Sequence, residues 1–188
     1  MRLNPILALG LLVLVPGIAP ADETIANPEF ACWSKFKKGT SVTLKMTTMA
    51  AGTKSETTVT TTLVETGADK LVVETTSVAN VAGMVIKSPA FKRDVQKAVM
   101  VPKGLKKEEL QGGKPPGTVE EGTETLKIAG KEIKAKWYKS KSEAAGTKSE
   151  TKMWMSDDVP GMMVKMEAST AGAFASTTKM ELVEIKKP

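Results

Sequence analysis

The sequence predicts a mainly β protein: a single antiparallel sheet of about nine strands in a meander, preceded by a short helix. From residue 41 onward, short runs rich in threonine and valine are separated by turn residues, which is the pattern of strands joined by hairpins. Apolar and polar residues alternate within many of these runs, as they do when one face of a strand is buried. Length and composition favour one domain that buries its own core without metal or disulfide support.

The first 21 residues have the three parts of a secretory signal peptide. Arg2 provides the positive charge, residues 6–15 form a short apolar segment, and Ala19-Pro20-Ala21 is a small-residue cleavage site. A membrane-spanning helix needs about 20 apolar residues, and this segment is much shorter. We therefore expect residues 1–21 to be removed and the mature chain, 22–188, to be exported to the periplasm or the extracellular space, with no stable membrane span.

The residues ahead of the first strand predict a short amphipathic helix. Phe30, Trp33 and Phe36 are spaced three apart, so they share one side of a helix. Pro28 stands near the first turn and Gly39 lies past the end, which are positions that these residue types favour. We expect Trp33 and Phe36 to be structural anchors that pack the helix against the sheet rather than residues that bind a ligand.

The first strands follow in hairpin order. Val42, Leu44 and Met46 alternate with polar residues, which predicts a strand with one apolar face. The next predicted elements are a turn at 51–54, a strand at 55–66, a turn at 67–69 and a strand at 71–79.

The segment from 80 to 117 is less regular. A turn at 80–83 leads into an apolar run that we expect to end at Ser88-Pro89, since proline seldom lies inside a strand. Residues 91–101 fit a helix and an alternating strand almost equally well, and we favour the strand. Residues 102–117 are polar and rich in glycine, proline and charge, so we expect an exposed excursion between two halves of the chain.

The second half repeats the hairpin rhythm. Ile133, Ala135 and Trp137 alternate with lysines and a tyrosine, which predicts apolar side chains inside and lysines outside. We expect Trp154 to be a third structural anchor, at the end of its strand. The predicted strands of this half are 123–129, 132–142, 149–155, 162–169 and 174–185.

One octapeptide occurs twice without change, at 50–57 and at 144–151. Both copies fall on a predicted hairpin turn and the start of the following strand. A duplicated half-domain would explain the repeat, and so would convergence on a favourable turn sequence. We favour convergence, because the flanking residues do not align over any length.

The absence of histidine excludes several kinds of catalytic and metal site. Imidazole-dependent serine or cysteine catalysis and histidine-containing zinc sites need a residue that the chain lacks. Paired-carboxylate chemistry needs no histidine, but Asp157 and Asp158 are neighbours on a predicted loop, and neighbours seldom flank one substrate bond. Two carboxylates are also too few for calcium. We expect no enzyme activity, no metal and no cofactor.

Charge and cysteine content narrow the possible partners. Loss of Arg2 with the leader takes the formal net charge from +6 to +5, and Arg93 is then the only arginine. We expect no nucleic-acid partner, because base readout relies largely on arginine. Cys32 is the only cysteine, so no internal disulfide forms. We expect it to be a small buried residue rather than a lipid anchor or an intermolecular thiol.

The order of these features resembles the lipoprotein-carrier (LolA-like) half-barrel group. The shared features are an exported leader, a short aromatic helix, two runs of hairpins and a closing segment, 154–165, in which a tryptophan-bearing strand runs through a proline-containing loop. The resemblance covers most of the mature chain in topology. It implies a strongly curved, half-barrel-like sheet that holds helices or loops on its concave side, often with an apolar groove for acyl chains.

The leading hypothesis is a non-enzymatic exported protein whose concave sheet face binds a lipid or an acylated envelope component. The chain has 11 methionines, and methionine adapts to irregular apolar surfaces. The candidate ligand-binding residues are Met46, Met153, Met155 and Met166. A second interpretation is that these methionines only fill the core.

The alternative function is a structural or interaction module of the cell envelope without a small-molecule ligand. Such a module would work through exposed hairpin edges and a lysine-rich face. The threonine-rich run at 57–62 would make a soluble strand that can pair with another chain.

Overall fold

The computed structural model describes residues 24–101, 107, 114–115, 117–128, 130–144, 146–172 and 175–188. The predicted signal peptide and most of the predicted excursion at 102–117 lie outside these residues. The elements are β1 (Thr24–Ala26), α1 (Pro28–Trp33), β2 (Ser41–Ala50), β3 (Thr53–Glu65), β4 (Lys70–Val81), β5 (Met84–Gln96), β6 (Ala98–Met100), β7 (Thr118–Ile128), β8 (Lys131–Ala144), β9 (Thr147–Met155), β10 (Met163–Ala171) and β11 (Ser176–Lys186).

Nine of the strands form one open antiparallel sheet in the order β5-β4-β3-β2-β11-β10-β9-β8-β7. β1 and β6 pair with each other in a separate two-stranded sheet. The large sheet is curved, since β7 approaches β11 although three strands separate them. The prediction of a mainly β protein with one large, curved antiparallel sheet of about nine strands is confirmed, and the small β1–β6 sheet is an addition to it.

Strand β5 differs most from its prediction. It continues through Pro89, where the sequence predicted a break. β5 is an edge strand, with a neighbouring strand on one side only. Proline is tolerated in such a strand, because it has no backbone N–H to donate and the side without a neighbour needs none. The register also shifts between Thr75 and Ser77 of β4, where a bulge in β5 adds one residue. The strand interpretation of 91–101 is confirmed by the end of β5 and by β6.

One face of the sheet carries α1, and we name it the helix face. Phe30 and Trp33 of α1 belong to one apolar cluster with Leu63, Leu71 and Val73. Trp33 and the three sheet residues are at most 2% exposed. Leu63 is opposite Val73 in the β3–β4 ladder, and side chains directly opposite each other in a ladder lie on the same face.

The helix begins as predicted, with Pro28 in its first turn. The side chain of Asn27 caps it, because Oδ1 accepts a hydrogen bond of 2.9 Å from the backbone N–H of Glu29. Arg93 of β5 forms an ion pair with Glu29, which ties the helix to the edge of the sheet. The helix ends at Trp33, whereas the sequence predicted that it would include Phe36. Phe36 still packs against the apolar cluster, and its ring meets the Trp33 ring edge to face at 6.4 Å.

The opposite face of the sheet carries ladders of charged side chains, and we name it the lysine face. Lys45 forms a salt bridge of 3.1 Å with Glu56, and Lys139 forms one of 3.1 Å with Glu150. The two glutamates occupy the same position in the two octapeptide copies. A hydrogen bond from Lys54 lowers the pKa of Glu56, and one from Lys139 lowers the pKa of Glu150.

The two octapeptide copies also occupy equivalent places in the topology. Each spans the turn between the first two strands of a four-strand meander, β2–β5 or β8–β11, and the two meanders run across the sheet in the same order. In the first turn Ala51 and Gly52 both have positive φ, 48° and 76°, as a two-residue hairpin turn requires. The second turn has Gly146 at φ 74°. The equivalent places of the two copies are what duplication of a half-domain would produce. The positive φ values show that the shared sequence suits a tight turn, which is what convergence would require.

The apolar cluster also includes Trp154, at the β7–β8 end of the sheet. Trp154 is opposite Trp137 in the β8–β9 ladder, and its Nε1 donates a hydrogen bond of 2.9 Å to Glu124 of β7. The ammonium of Lys152 lies 4.2 Å from the Trp137 ring centre and 4.6 Å from that of Trp154. Lys165 lies 4.8 Å from the Trp154 ring centre, so this indole makes two cation–π contacts.

The alternation predicted along β8 is confirmed for its first residues. Ile133 and Ala135 are buried, whereas Lys134 and Lys136 are exposed. Tyr138 shares a face with the two lysines, but it is only 9% exposed. This burial arises from neighbours that are distant in sequence, which alternation within one strand does not describe.

Cys32 is enclosed between α1 and the loop that joins β9 to β10. Its thiol donates a hydrogen bond of 3.0 Å to the carbonyl of Val159, and the side chain is 1% exposed. Burial raises the pKa of the Cys32 thiol above its usual range. The cysteine is therefore a small buried residue.

We predict that Cys32 resists alkylation in the native protein. A raised thiol pKa leaves little thiolate at neutral pH, and the thiolate is the reactive form. Mass spectrometry after iodoacetamide treatment should show slow modification of the native chain and rapid modification in denaturant. Equal rates in the two conditions would contradict the burial of this thiol.

Candidate functional site

Four methionines lie side by side on the helix face, one from each of four adjacent strands. Met46 of β2 is opposite Met180 of β11, and Met180 is opposite Met166 of β10. Met166 is in turn opposite Met153 of β9. We name these four residues the methionine row. All four are half-buried, and the spacing of adjacent strands makes the row about 15 Å long.

The levels on either side of the methionine row differ in character. Toward α1, Leu44 is opposite Leu182, so the next level is apolar where β2 meets β11. Away from α1, Thr48 is opposite Thr178, and their hydroxyls are 3.1 Å apart in a hydrogen bond. The methionine row therefore lies between an apolar level and a polar one.

At one end the methionine row adjoins a cavity of about 440 Å³. Tyr138 of β8 is opposite Met153 and lines the cavity together with Met155 and Met162. Four charged residues also line it: Lys134, Lys136, Asp157 and Asp158. All four charged residues are exposed, so the cavity has an apolar floor and a charged rim.

The loop that bears the two aspartates is held by its own hydrogen bonds. The N–H of Ser156 donates to the carbonyl of Met162 at 2.8 Å, and the N–H of Met162 donates to the carbonyl of Val159 at 2.8 Å. Val159 belongs to the same apolar cluster as Trp33. Met162 has a φ of 68°, an unusual value for a residue with a side chain. The loop is thus a compact turn packed on α1.

Three of the four sequence-predicted site residues meet in the methionine row: Met46, Met153 and Met166. The fourth, Met155, is two residues from Met153 along β9 and lines the cavity instead. Met180 completes the row but was not among the candidates. Its place follows from the pairing of β11 with β2 and β10. The pattern of residues within β11 does not predict this pairing.

A larger cavity, of about 560 Å³, lies near the tip of the β8–β9 hairpin. Its charged side chains neutralise one another: Lys141 is 3.6 Å from Glu150, and Lys148 is 3.8 Å from Glu143. The remaining lining consists mostly of small polar residues. It offers a ligand neither a continuous apolar surface nor unpaired charge, so we do not consider it the functional site.

Two further properties bear on the site. Among the described residues, no group of three or more histidine, cysteine, aspartate or glutamate side chains could hold a metal ion. No helix in the described part of the chain is both long and apolar enough to cross a membrane.

Comparison with known proteins gives structural neighbours but no family, since no family model and no curated protein matches the chain. A candidate lipoprotein from Parabacteroides distasonis aligns with a TM-score of 0.44 and 14% identity, over 80% of this chain and 96% of its own. A candidate exported protein with a YmcC-like fold from Bacteroides fragilis aligns with a TM-score of 0.45 and 11% identity, over 81% and 97%.

A LolA-superfamily protein from Nitrosomonas europaea aligns with a TM-score of 0.24 and 8% identity, over 87% of this chain and 94% of its own. The neighbours thus include a member of the group that the sequence resembles. All of these TM-scores are below 0.5, so the likenesses carry no argument about what this chain binds. The functional argument rests on its own residues.

Proposed function

We propose that this chain is a non-enzymatic exported protein that binds a lipid or an acylated envelope component on the helix face of its sheet. The methionine row is the observation that carries this proposal. Its four side chains are half-buried, so each keeps part of its surface for a ligand. Methionine is flexible and polarisable, and a row of methionines can therefore accommodate a flexible acyl chain.

The surroundings of the methionine row also favour an acyl chain. The apolar level formed by Leu44 and Leu182 extends the row toward α1, and Tyr138 extends it toward the cavity. Each methylene withdrawn from water contributes about 0.8 kcal/mol. A chain that buries about ten methylenes would gain about 8 kcal/mol before the cost of ordering it is subtracted.

The chemistry of the row gives no support to catalysis. Its thioethers supply no general acid, no general base and no activated nucleophile. We therefore propose binding without turnover.

We predict that a fluorescent fatty acid binds the native chain with saturation and that Met46→Glu weakens this binding at least about tenfold, because a carboxylate would be placed against the acyl chain. Met49→Glu is the matched control. Met49 is on the same strand, but it faces the lysine face and is 41% exposed, so this variant should bind as tightly as the native chain. Fluorescence titration measures all three affinities.

Melting curves of the same variants test the interpretation that the methionines only fill the core. A ligand-binding surface open to water should tolerate Met46→Glu with little loss of stability. A packed core would instead make this variant unfold, because an unpaired buried charge has nothing to offset its desolvation. Absence of saturable binding by the native chain would overturn the proposal.

The alternative function, an interaction module of the cell envelope, has one observation in its favour. The edge strand β5 exposes Met84, Ile86 and Phe91, each at least 53% exposed. The same strand also has Lys87, Pro89 and a bulge, which are features that discourage pairing with another strand. We therefore place ligand binding first. Lipid mass spectrometry of an extract from the purified protein should find acyl chains if it binds lipid, and a clean extract would favour the module.

A further inference from the structure

We propose that the ligand carries a zwitterionic headgroup, with one anionic and one cationic group, which occupies the cavity at the end of the methionine row. This inference rests on the proposed function and names the chemical class of the ligand. The apolar tail would lie along the row, and the headgroup would lie between the two lysines and the two aspartates of the cavity rim.

The first argument is continuity between the methionine row and the cavity. Tyr138 is opposite Met153 at the end of the row and also lines the cavity. Met155 lies on the same face, since it is two residues from Met153 along β9, and it lines the cavity as well. An amphiphile whose tail follows the row therefore reaches the cavity without crossing to another face.

The second argument is the charge of the rim. Lys134 and Lys136 come from β8, and Asp157 and Asp158 come from the loop after β9. The salt bridges found in the described part of the chain include neither of these lysines. The one salt bridge of the aspartates joins Asp157 to Lys35 at 4.0 Å, between exposed side chains. Lys134, Lys136 and Asp158 therefore have no salt bridge among the described residues, and the exposed contact between Lys35 and Asp157 is weak enough for a ligand to replace it.

The balance of charge selects among headgroups. A purely anionic headgroup would be attracted by the two lysines but repelled by the two aspartates. A purely cationic headgroup would be attracted by the aspartates but repelled by the lysines. A zwitterion satisfies both pairs at once, which is the electrostatic complementarity that gives specificity. Contacts between exposed charges are individually weak, so we expect a selectivity of about five- to tenfold from several such contacts.

Both sides of the rim are held in place by the fold. The lysines stand on β8, which is paired with β7 and β9. The aspartates stand on the loop that is closed between Ser156 and Met162. Little backbone ordering is therefore needed when a headgroup binds, and this preorganisation favours affinity.

Isothermal titration calorimetry of the full chain with four amphiphiles that share a twelve-carbon tail tests the proposal. The ligands are dodecylphosphocholine, dodecyl sulfate, dodecyltrimethylammonium and uncharged dodecyl maltoside, each below its micelle concentration. Because the tail is constant, differences in affinity report the headgroup. We expect dodecylphosphocholine to bind about five- to tenfold more tightly than either singly charged amphiphile.

Two double variants assign this preference to the rim. Lys134→Gln with Lys136→Gln should weaken dodecylphosphocholine and shift the preference toward the cationic amphiphile. Asp157→Asn with Asp158→Asn should also weaken it but shift the preference toward the anionic one. Lys179→Gln, an exposed lysine on the lysine face, should change nothing. All the substituted side chains are exposed, and melting curves verify that each variant is folded.

The outcomes separate this inference from the proposed function. Equal affinity for all four amphiphiles, or tighter binding of any of the other three than of dodecylphosphocholine, would overturn the headgroup inference and leave acyl binding intact. Persistence of the zwitterion preference in both double variants would also overturn it. No binding of any amphiphile would overturn both proposals. Free phosphocholine binding as tightly as dodecylphosphocholine would support the zwitterion site but contradict a lipid ligand.

Discussion

Trp33→Ala should lower the free energy of unfolding by about 3–5 kcal/mol, the usual cost of truncating a buried tryptophan. Trp33 is 1% exposed, and its ring contacts Phe36 and lies against Gly161 of the loop after β9. The substitution would thus leave a cavity where α1, the loop and the sheet meet. Such a loss is a large part of the ~5–15 kcal/mol that stabilises a typical domain. Chemical denaturation measures it.

The matched control for this prediction is Trp33→Phe. Nε1 of Trp33 is buried and has no hydrogen-bond partner among the described residues, so the indole N–H is an unsatisfied donor. Phenylalanine keeps much of the apolar volume and removes that donor. We therefore expect a much smaller loss of stability than with alanine, and equal losses in the two variants would show that apolar packing is not the main role of Trp33.

Trp154→Ala should cost a similar amount, about 3–5 kcal/mol, for partly different reasons. Trp154 is 4% exposed and joins β9 to β7 through its hydrogen bond to Glu124. Its removal would leave this carboxylate without its indole donor and Lys165 without the ring that it covers. Denaturation should report the loss, and hydrogen exchange should report faster opening of β7 and β8.

Trp137→Ala is the comparison variant, because Trp137 is only half-buried and shares Lys152 with Trp154. We expect it to lose clearly less stability than Trp154→Ala. If the Trp154→Ala protein were as stable as the native chain, this tryptophan would not be an anchor of the β7–β8 end of the sheet. Slow exchange in β7 and β8 of that variant would lead to the same conclusion.

The strands could be predicted from the sequence because their signals are local. The alternation of Val42, Leu44 and Met46, and the glycine-containing turns that follow, depend only on neighbouring residues. The passage of β5 through Pro89 could not be predicted in this way. It depends on β5 being an edge strand with a bulge, and both features are set by pairing with another strand.

The candidate site was predicted in part for the same reason. Methionine content and position pointed to Met46, Met153 and Met166, which are on predicted strands. Met180 becomes a neighbour of Met166 through the β10–β11 hairpin, but it meets Met46 only through the ladder between β11 and β2, which are far apart in the sequence. The burial of Tyr138 likewise depends on β9, where Met153 is opposite it, and on the loop between β9 and β10. The register between strands that are far apart in the sequence depends on the tertiary structure, so it could not be predicted from the local patterns of one sequence.

The junction between β2 and β11 has a consequence for when the binding surface comes into existence. The hydrogen-bonded threonines Thr48 and Thr178 on either side of this junction are 130 positions apart in the chain. Contacts between such distant residues carry the entropy of closing a long loop, and folding is slow where they dominate. Each meander can assemble from local hairpins, but Met46 and Met180 meet only when the last strand docks beside the first strand of the large sheet. Met153, Met166 and Met180 can meet within the second meander, so the methionine row gains its fourth member, Met46, only in the completed chain.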